Sequence, residues 1–191
     1  MLEGLVTTLN ADGSVHLAPM GPLVGADQDR LWLRPYATST TYGNLCRTPA
    51  GVFHVTDDVE LLARAALGAI DDPPATRPAG RVPGAILVDA CRWYAFQVES
   101  VDDSQPRTEI VARVVDRGLQ REFFGFNRAK HAVVEAAILA TRLDLLPRDQ
   151  ILAELARLEP WVAKTGGAAE RRAFDWLCQR VQQHACRGDQ P

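Results

Sequence analysis

The residue types best suited to chemistry stand together in Leu33-Arg34-Pro35-Tyr36-Ala37-Thr38-Ser39-Thr40-Thr41-Tyr42-Gly43-Asn44-Leu45. An apolar strand over Leu31, Trp32 and Leu33 ends in an arginine, and the hydroxyl residues Thr38, Ser39, Thr40 and Thr41 then lead into a short helix. Unpaired N–H groups at a helix start favour a dianion, hydroxyls add donors, and a guanidinium adds a planar fork. The chemistry offered is the holding of a phosphate group by Thr38, Ser39, Thr40 and Thr41 with Arg34 neutralising charge. The same residues also fit an ordinary strand-to-helix turn in which Ser39 or Thr40 caps the helix and nothing binds. Local sequence leaves both readings open.

A second polar cluster, Asn127-Arg128-Ala129-Lys130-His131, opens a helix. Neighbouring helix positions project about 100° apart, so Lys130 and His131 cannot both address one small atom. Arg128 or Lys130 reaching an anion is one reading; a surface ion pair between His131 and Glu135, one turn on, is the bland one. His16 is either a polar contact at a site or a half-exposed strand residue. His54 sits among apolar strand neighbours and is expected to be structural. The pairs Asp57-Asp58, Asp71-Asp72 and Asp102-Asp103 fall at turns or helix starts and read as caps and solvated loops.

Several chemistries lack their signatures. There is no Gly-x-Gly-x-x-Gly after a strand, no Walker loop, no Gly-x-Ser-x-Gly elbow and no His-Glu-x-x-His. Cys46, Cys91, Cys178 and Cys186 are scattered without Cys-x-x-Cys or histidine at zinc spacing, so no metal site is expected. Net charge of −3 gives no support to a nucleic-acid partner. No apolar run approaches membrane-spanning length and no secretory leader is visible, so no membrane partner and a cytoplasmic location are expected.

These residues need elements to position them. Asp12-Gly13 signals a two-residue hairpin between strands Val6–Leu9 and Val15–Ala18, and the second strand runs into Pro19-Met20-Gly21-Pro22, where proline should end the ladder. A strand over Gly51–Thr56 precedes a helix from Val59 to Leu67 capped by Asp57 or Asp58. Residues 71–84 are Pro-rich and aperiodic, a long loop. Ala85–Val98 is one strand, or two broken at Asp89-Ala90, and Thr108–Val115 is its partner beyond a turn at Asp102-Asp103. From Asn127 the apolar period becomes helical. Ala129, Val133, Ala136, Ala137 and Ala140 mark one helix ending near Leu143, Pro147 opens a second through Leu158, and a third runs from Ala168 to about Ala185. The expected fold is α+β, a small antiparallel split β-barrel over residues 1–118 with a C-terminal helical layer over 119–191 packed on the barrel or on a dimer partner. At 191 residues, with 47% hydrophobic and 24% charged side chains, the chain can bury a sizeable core.

The succession Gly-x-Val15-His16-Leu17-Ala18-Pro19-Met20-Gly21, then Leu33-Arg34-Pro35-Tyr36 with Thr38 to Tyr42, then Gly51-Val52-Phe53-His54-Val55-Thr56-Asp57-Asp58-Val59 resembles the FMN-binding split-barrel superfamily. More narrowly it is similar to domain-of-unknown-function family 447. The likeness continues in Asn127–Ala136 and Ala140–Leu143, and spans about Leu5 to Phe174. It implies FMN as cofactor. Ser39, Thr40 and Thr41 would hold its phosphate with Arg34 and Thr38, Asn44 would hold the turn, and Tyr36 would lie near the ribityl chain. His16, Ala18, Pro19 and Met20 would pass the isoalloxazine edge, and Arg128 or Lys130 would reach the phosphate or an anionic substrate. The resemblance further implies a homodimer with flavin near the interface. It points to a flavin-dependent oxidoreductase with a small-molecule electron donor and acceptor, or to a non-catalytic FMN-binding or sensor protein, with a link to pterin-dependent one-carbon metabolism in either case. A scaffold that has lost the flavin is a third reading.

Overall fold

The computed structural model describes residues 1–123 and 125–184. Along the chain it contains β1 (Gly4–Leu9), β2 (Val15–Met20), β3 (Leu23–Val24), β4 (Arg30–Leu33), α1 (Thr40–Arg47), β5 (Ala50–Val55) and α2 (Val59–Ala66). There follow β6 (Thr76–Pro78), β7 (Ala85–Leu87), β8 (Arg92–Asp102), β9 (Glu109–Leu119), α3 (Arg128–Ala140), α4 (Arg148–Thr165) and α5 (Ala168–Gln183). The fold is α+β, as expected, and the chain divides into two compact units.

The first unit comprises residues 1–57 and 71–123. Its antiparallel sheet has the order β2-β1-β5-β8-β9-β4-β3 and curls into a half-barrel, with β6 and β7 forming a separate two-stranded ribbon. Successive strand residues face opposite sides, so a strand covered on both faces must be apolar throughout. β5 meets this condition at every position but His54. Phe53 joins Val6, Leu31, Leu33, Leu45, Phe96 and Ile110 in one core cluster, while its neighbour Val52 joins Ile86, Trp93 and Ala95 in another.

His54 is fully buried between these strands. Its Nδ1 lies 3.3 Å from the Leu5 carbonyl and its Nε2 accepts the Leu87 N–H at 3.1 Å. Since the Leu87 amide can only donate, the ring is the neutral Nδ1–H tautomer with both nitrogens used. This is the structural role expected for it.

Several expectations for this unit need correction. The first hairpin has a three-residue loop, Ala11–Gly13, closed by Asn10 N–H to Ser14 O at 2.9 Å, with Gly13 at φ 84°. Only glycine takes that left-handed position without strain. β2 does not stop at Ala18; Pro19 and Met20 pair opposite Leu5 and Gly4. Because β2 is an edge strand, the proline removes no interior ladder bond. Residues 71–84 are not a bare loop, since Thr76–Pro78 pairs with Ala85–Leu87. Residues 85–98 are indeed two strands, but β8 runs on to Asp102 and β9, from Glu109, runs on to Leu119, with register shifts at Ala95/Phe96 and Val98/Ser100 that bend the long hairpin.

The second unit gathers residues 58–70 with the C-terminal helices, so α2 belongs with α3, α4 and α5. Val59 and Ala63 of α2 share a core with Ala129, Val133, Ala136, Ile151, Leu155, Phe174 and Leu177. The alanine face of α3 lets neighbouring helix axes approach closely. α3 ends at Ala140 rather than near Leu143. α4 does not end at Leu158 but continues through Pro160 to Thr165. Val162 beyond the proline is buried, and that packing offsets the backbone bond Pro160 cannot donate. Ala185, expected at the end of the third helix, and Cys186 lie outside the described residues. Among the described residues no helix is long and apolar enough to cross a membrane.

Candidate functional site

The turn before α1 has the form expected of a capped helix start. Ser39 is the N-cap, and its Oγ accepts the Tyr42 N–H at 3.2 Å. The Ser39 carbonyl accepts the Gly43 N–H at 3.1 Å. Among the described residues the N–H groups of Thr38, Thr40 and Thr41 have no hydrogen-bond acceptor. Thr38 and Thr40 are exposed, and no acidic residue occupies the first turn. The capping reading thus holds for Ser39, yet it uses only part of the donor set. What remains is a group of amides and hydroxyls suited to an anion at the positive end of a helix dipole.

Two segments far apart in sequence meet at this turn. Thr41 Oγ1 lies 3.3 Å from His16 Nε2, which joins the start of α1 to β2. Partial burial lowers the His16 pKa, so the ring serves near neutrality as a hydrogen-bonding imidazole and not as a cation. His16, Ala18 and Met20 alternate onto one side of β2, with Pro19 on the other, and β2 has a strand partner on one edge only. Ala18 and Met20 pack against the core cluster of Phe53 and Phe96.

Asn44 fixes α1 against the first hairpin and is itself buried. Its Nδ2 donates to Thr8 Oγ1 at 2.9 Å and to Asn10 Oδ1 at 3.0 Å. The Arg47 guanidinium donates to Asn44 Oδ1 at 2.7 Å and to the Leu9 carbonyl at 2.6 Å. Asn44 therefore holds the whole helix on β1, a wider role than stabilising its own turn.

Arg34 and Tyr36 face the tip of the β8–β9 hairpin. Ala37 N–H donates to Pro106 O at 3.1 Å, Thr108 N–H to Pro35 O at 3.0 Å, and Arg107 Nε to Arg34 O at 3.3 Å. Tyr42 OH donates to Asp103 Oδ2 at 2.8 Å, a bond that pushes the tyrosine pKa up. The Arg107 guanidinium lies 5.3 Å from the centroid of the exposed Tyr36 ring. A cavity of about 280 Å³ opens here, lined by Arg34, Arg107, Asp102 and Glu109 with the polar side chains of Ser104, Gln105 and Thr108. None of Thr38 to Thr41 lines it. Sequence reasoning missed Arg107, because its link to Tyr36 exists only once the hairpin has formed.

Arg128 and Lys130 lie in the helical unit, at the first turn of α3. Asn127 caps that helix, accepting the Ala129 N–H at 2.8 Å. Lys130 Nζ pairs with Glu170 Oε1 at 2.9 Å, and Glu170 Oε2 accepts the Gly167 N–H at 2.8 Å. Burial alone would raise the Glu170 pKa; the Lys130 hydrogen bond and the backbone donors outweigh it and hold the carboxyl below its usual range. Arg128 is exposed, and the His131 ring stacks on Phe126 at 5.9 Å.

Comparison with known proteins bears on the fold and the family. An FMN-bound protein from Methanosarcina mazei, of family DUF447, superposes with a TM-score of 0.75 at 23% identity, covering 93% of both chains. The flavin reductase of styrene monooxygenase from Pseudomonas putida S12 gives 0.50 at 15% identity, over 61% of this chain and 78% of its own. A flavin reductase complexed with NADP+ gives 0.55 at 18% identity, over 65% and 81% respectively. No curated protein matches. The family described as "Protein of unknown function (DUF447) N-terminal domain" matches residues 2–121, and that described as "Protein of unknown function (DUF447)" matches residues 127–179. With both stretches matched, the chain belongs to the DUF447 family.

Proposed function

We propose that the protein binds FMN on its sheet unit and acts as a flavin-dependent oxidoreductase on a small molecule. The observation that carries this is the meeting of the α1 start with β2 through Thr41 and His16. It joins a set of unused amides and hydroxyls to a half-buried edge strand, one suited to a phosphate and the other to a flat ring. Support also comes from the FMN-bound family member, the same fold at 0.75, and from the flavin reductases that share the fold.

The residues fit the group. Thr38, Ser39, Thr40 and Thr41 would receive the phosphate dianion, with the helix dipole supplying positive potential in place of a paired cation. His16, Ala18, Pro19 and Met20 would present backbone and side chains to the ring, and Asn44 would keep the two halves of the site in register. Tyr36 would border the ribityl chain. Bound FMN supplies hydride acceptance and one- or two-electron transfer, chemistry that no side chain here provides. The protein's part is to hold the phosphate, shield a face of the ring and set its hydrogen bonds. Arg128 and Lys130 would contribute across a homodimer with flavin near the interface, in the cytoplasm.

The test is differential. Ser39→Ala with Thr40→Ala should weaken FMN at least about tenfold while leaving riboflavin nearly unchanged, since only FMN carries the dianion. Equal weakening of both ligands would refute the phosphate assignment. Rapid reduction of bound flavin by NADH or NADPH supports the oxidoreductase; reduction by dithionite alone would leave a flavin-binding protein without that activity.

A further inference from the structure

We infer that the cavity at the tip of the β8–β9 hairpin is a second anion site, distinct from the α1 turn, in which Arg34 and Arg107 receive a small dianion such as a phosphoryl group or a short dicarboxylate. Three observations carry it. Two guanidiniums line one cavity, and among the described residues neither forms an ion pair and the Arg34 guanidinium has no hydrogen-bond partner at all. The cavity holds about 280 Å³, below the range of pockets that take a whole cofactor, so it suits a charged head group. The site is also built in advance. The hairpin tip is pinned by Tyr42 OH to Asp103, by Ala37 N–H to Pro106 O and by Thr108 Oγ1 to Pro35 O at 2.9 Å. Arg107 is steadied over the Tyr36 ring, which lowers the entropy cost of holding it for a ligand.

Two carboxylates share the cavity wall and must be accounted for. Asp102 Oδ1 already accepts the Ser104 N–H at 3.0 Å, so it is turned into its own loop. Glu109 stands opposite Asp102 at the start of β9 and is exposed. Formally they balance the two guanidiniums, so the site selects a ligand that uses the planar forks directly over one that responds to net charge alone. In a flavin enzyme such a subsite would orient an anionic electron donor or acceptor. The anion site itself does not depend on flavin being bound.

Titration calorimetry with inorganic phosphate, and separately with succinate, at low ionic strength tests the proposal, because exposed charges are screened by salt. An arginine-dependent component of the saturable binding should fall at least about tenfold in Arg34→Gln and in Arg107→Gln, and should persist in Ser39→Ala with Thr40→Ala, where only phosphate held at the α1 turn is lost. Preference for one probe assigns the head group. Arg34→Gln is the safer variant, since among the described residues that side chain makes no hydrogen bond or ion pair. Binding lost in the hydroxyl variant but kept in both arginine variants would put the phosphate at the α1 turn and overturn this proposal. So would the absence of saturable binding of both probes. Arginine-dependent binding in a protein that fails to retain FMN would leave the second site standing and refute the cofactor reading instead.

Discussion

Acid should unfold this protein through His54 before carboxylates account for the loss. In the folded chain His54 Nδ1–H faces the Leu5 carbonyl and Nε2 takes the Leu87 N–H, so a second ring proton would point at an N–H donor. Burial, partly opposed by the Leu5 hydrogen bond, lowers its pKa from the ordinary 6.5 to about 4. The unfolded chain binds a proton at this ring below 6.5 and the folded chain does not until about 4. The contribution is therefore intact above 6.5 and is lost as pH falls toward 4. At 1.36 kcal/mol per pKa unit the full loss is about 3 kcal/mol, most of it gone by about pH 4.5. Urea unfolding at about pH 7.5 and about pH 4.5, for the native sequence and for His54→Gln, isolates this share as the difference between the two pH effects. The ring itself offers a second readout, because NMR should find His54 in the neutral Nδ1–H form down to about pH 5. The same acid loss in both proteins, or a His54 ring titrating near its ordinary value, would refute the reasoning.

Asn44→Ala removes three hydrogen bonds and strands the buried Thr8 hydroxyl, so it should cost about 2–4 kcal/mol in urea unfolding and weaken FMN as α1 loosens; an unchanged midpoint would contradict the role given to Asn44. Lys130→Met leaves the mostly buried Glu170 carboxylate without its cation and should cost about 2 kcal/mol, discounted because Lys130 is partly solvated. Weaker FMN binding in the same variant would support the contribution to the ligand proposed for Lys130, while unchanged stability would refute the structural weight given to its pairing with Glu170.

Local chemistry made much of the fold legible. The Asp12-Gly13 turn signal marked β1 and β2, alternation marked β9, the helical period marked α3, and Ser39 was one of the two caps offered for α1. His54 was readable as structural because its strand supplied apolar neighbours. What local pattern could not show was pairing across distance. Pro19 in a ladder becomes acceptable only when β2 is known to be an edge, and β6 only when β7 is there to receive it. Pro160 inside α4 depends on Val162 finding a core, and α2 joins the C-terminal helices through Val59 and Ala63. In the candidate site, the hydroxyl turn was visible in sequence. The contacts that organise its surroundings, His16 with Thr41, Tyr42 with Asp103 and Arg107 with Tyr36, join residues from different elements and arise only on folding.

The central claim is cofactor binding, and the visible absorption spectrum of the purified protein, before and after loading with FMN and removing the excess by gel filtration, tests it most directly. Retained flavin absorption, lost in Ser39→Ala with Thr40→Ala, is the predicted result. A colourless protein that keeps no FMN under any loading condition would contradict the account.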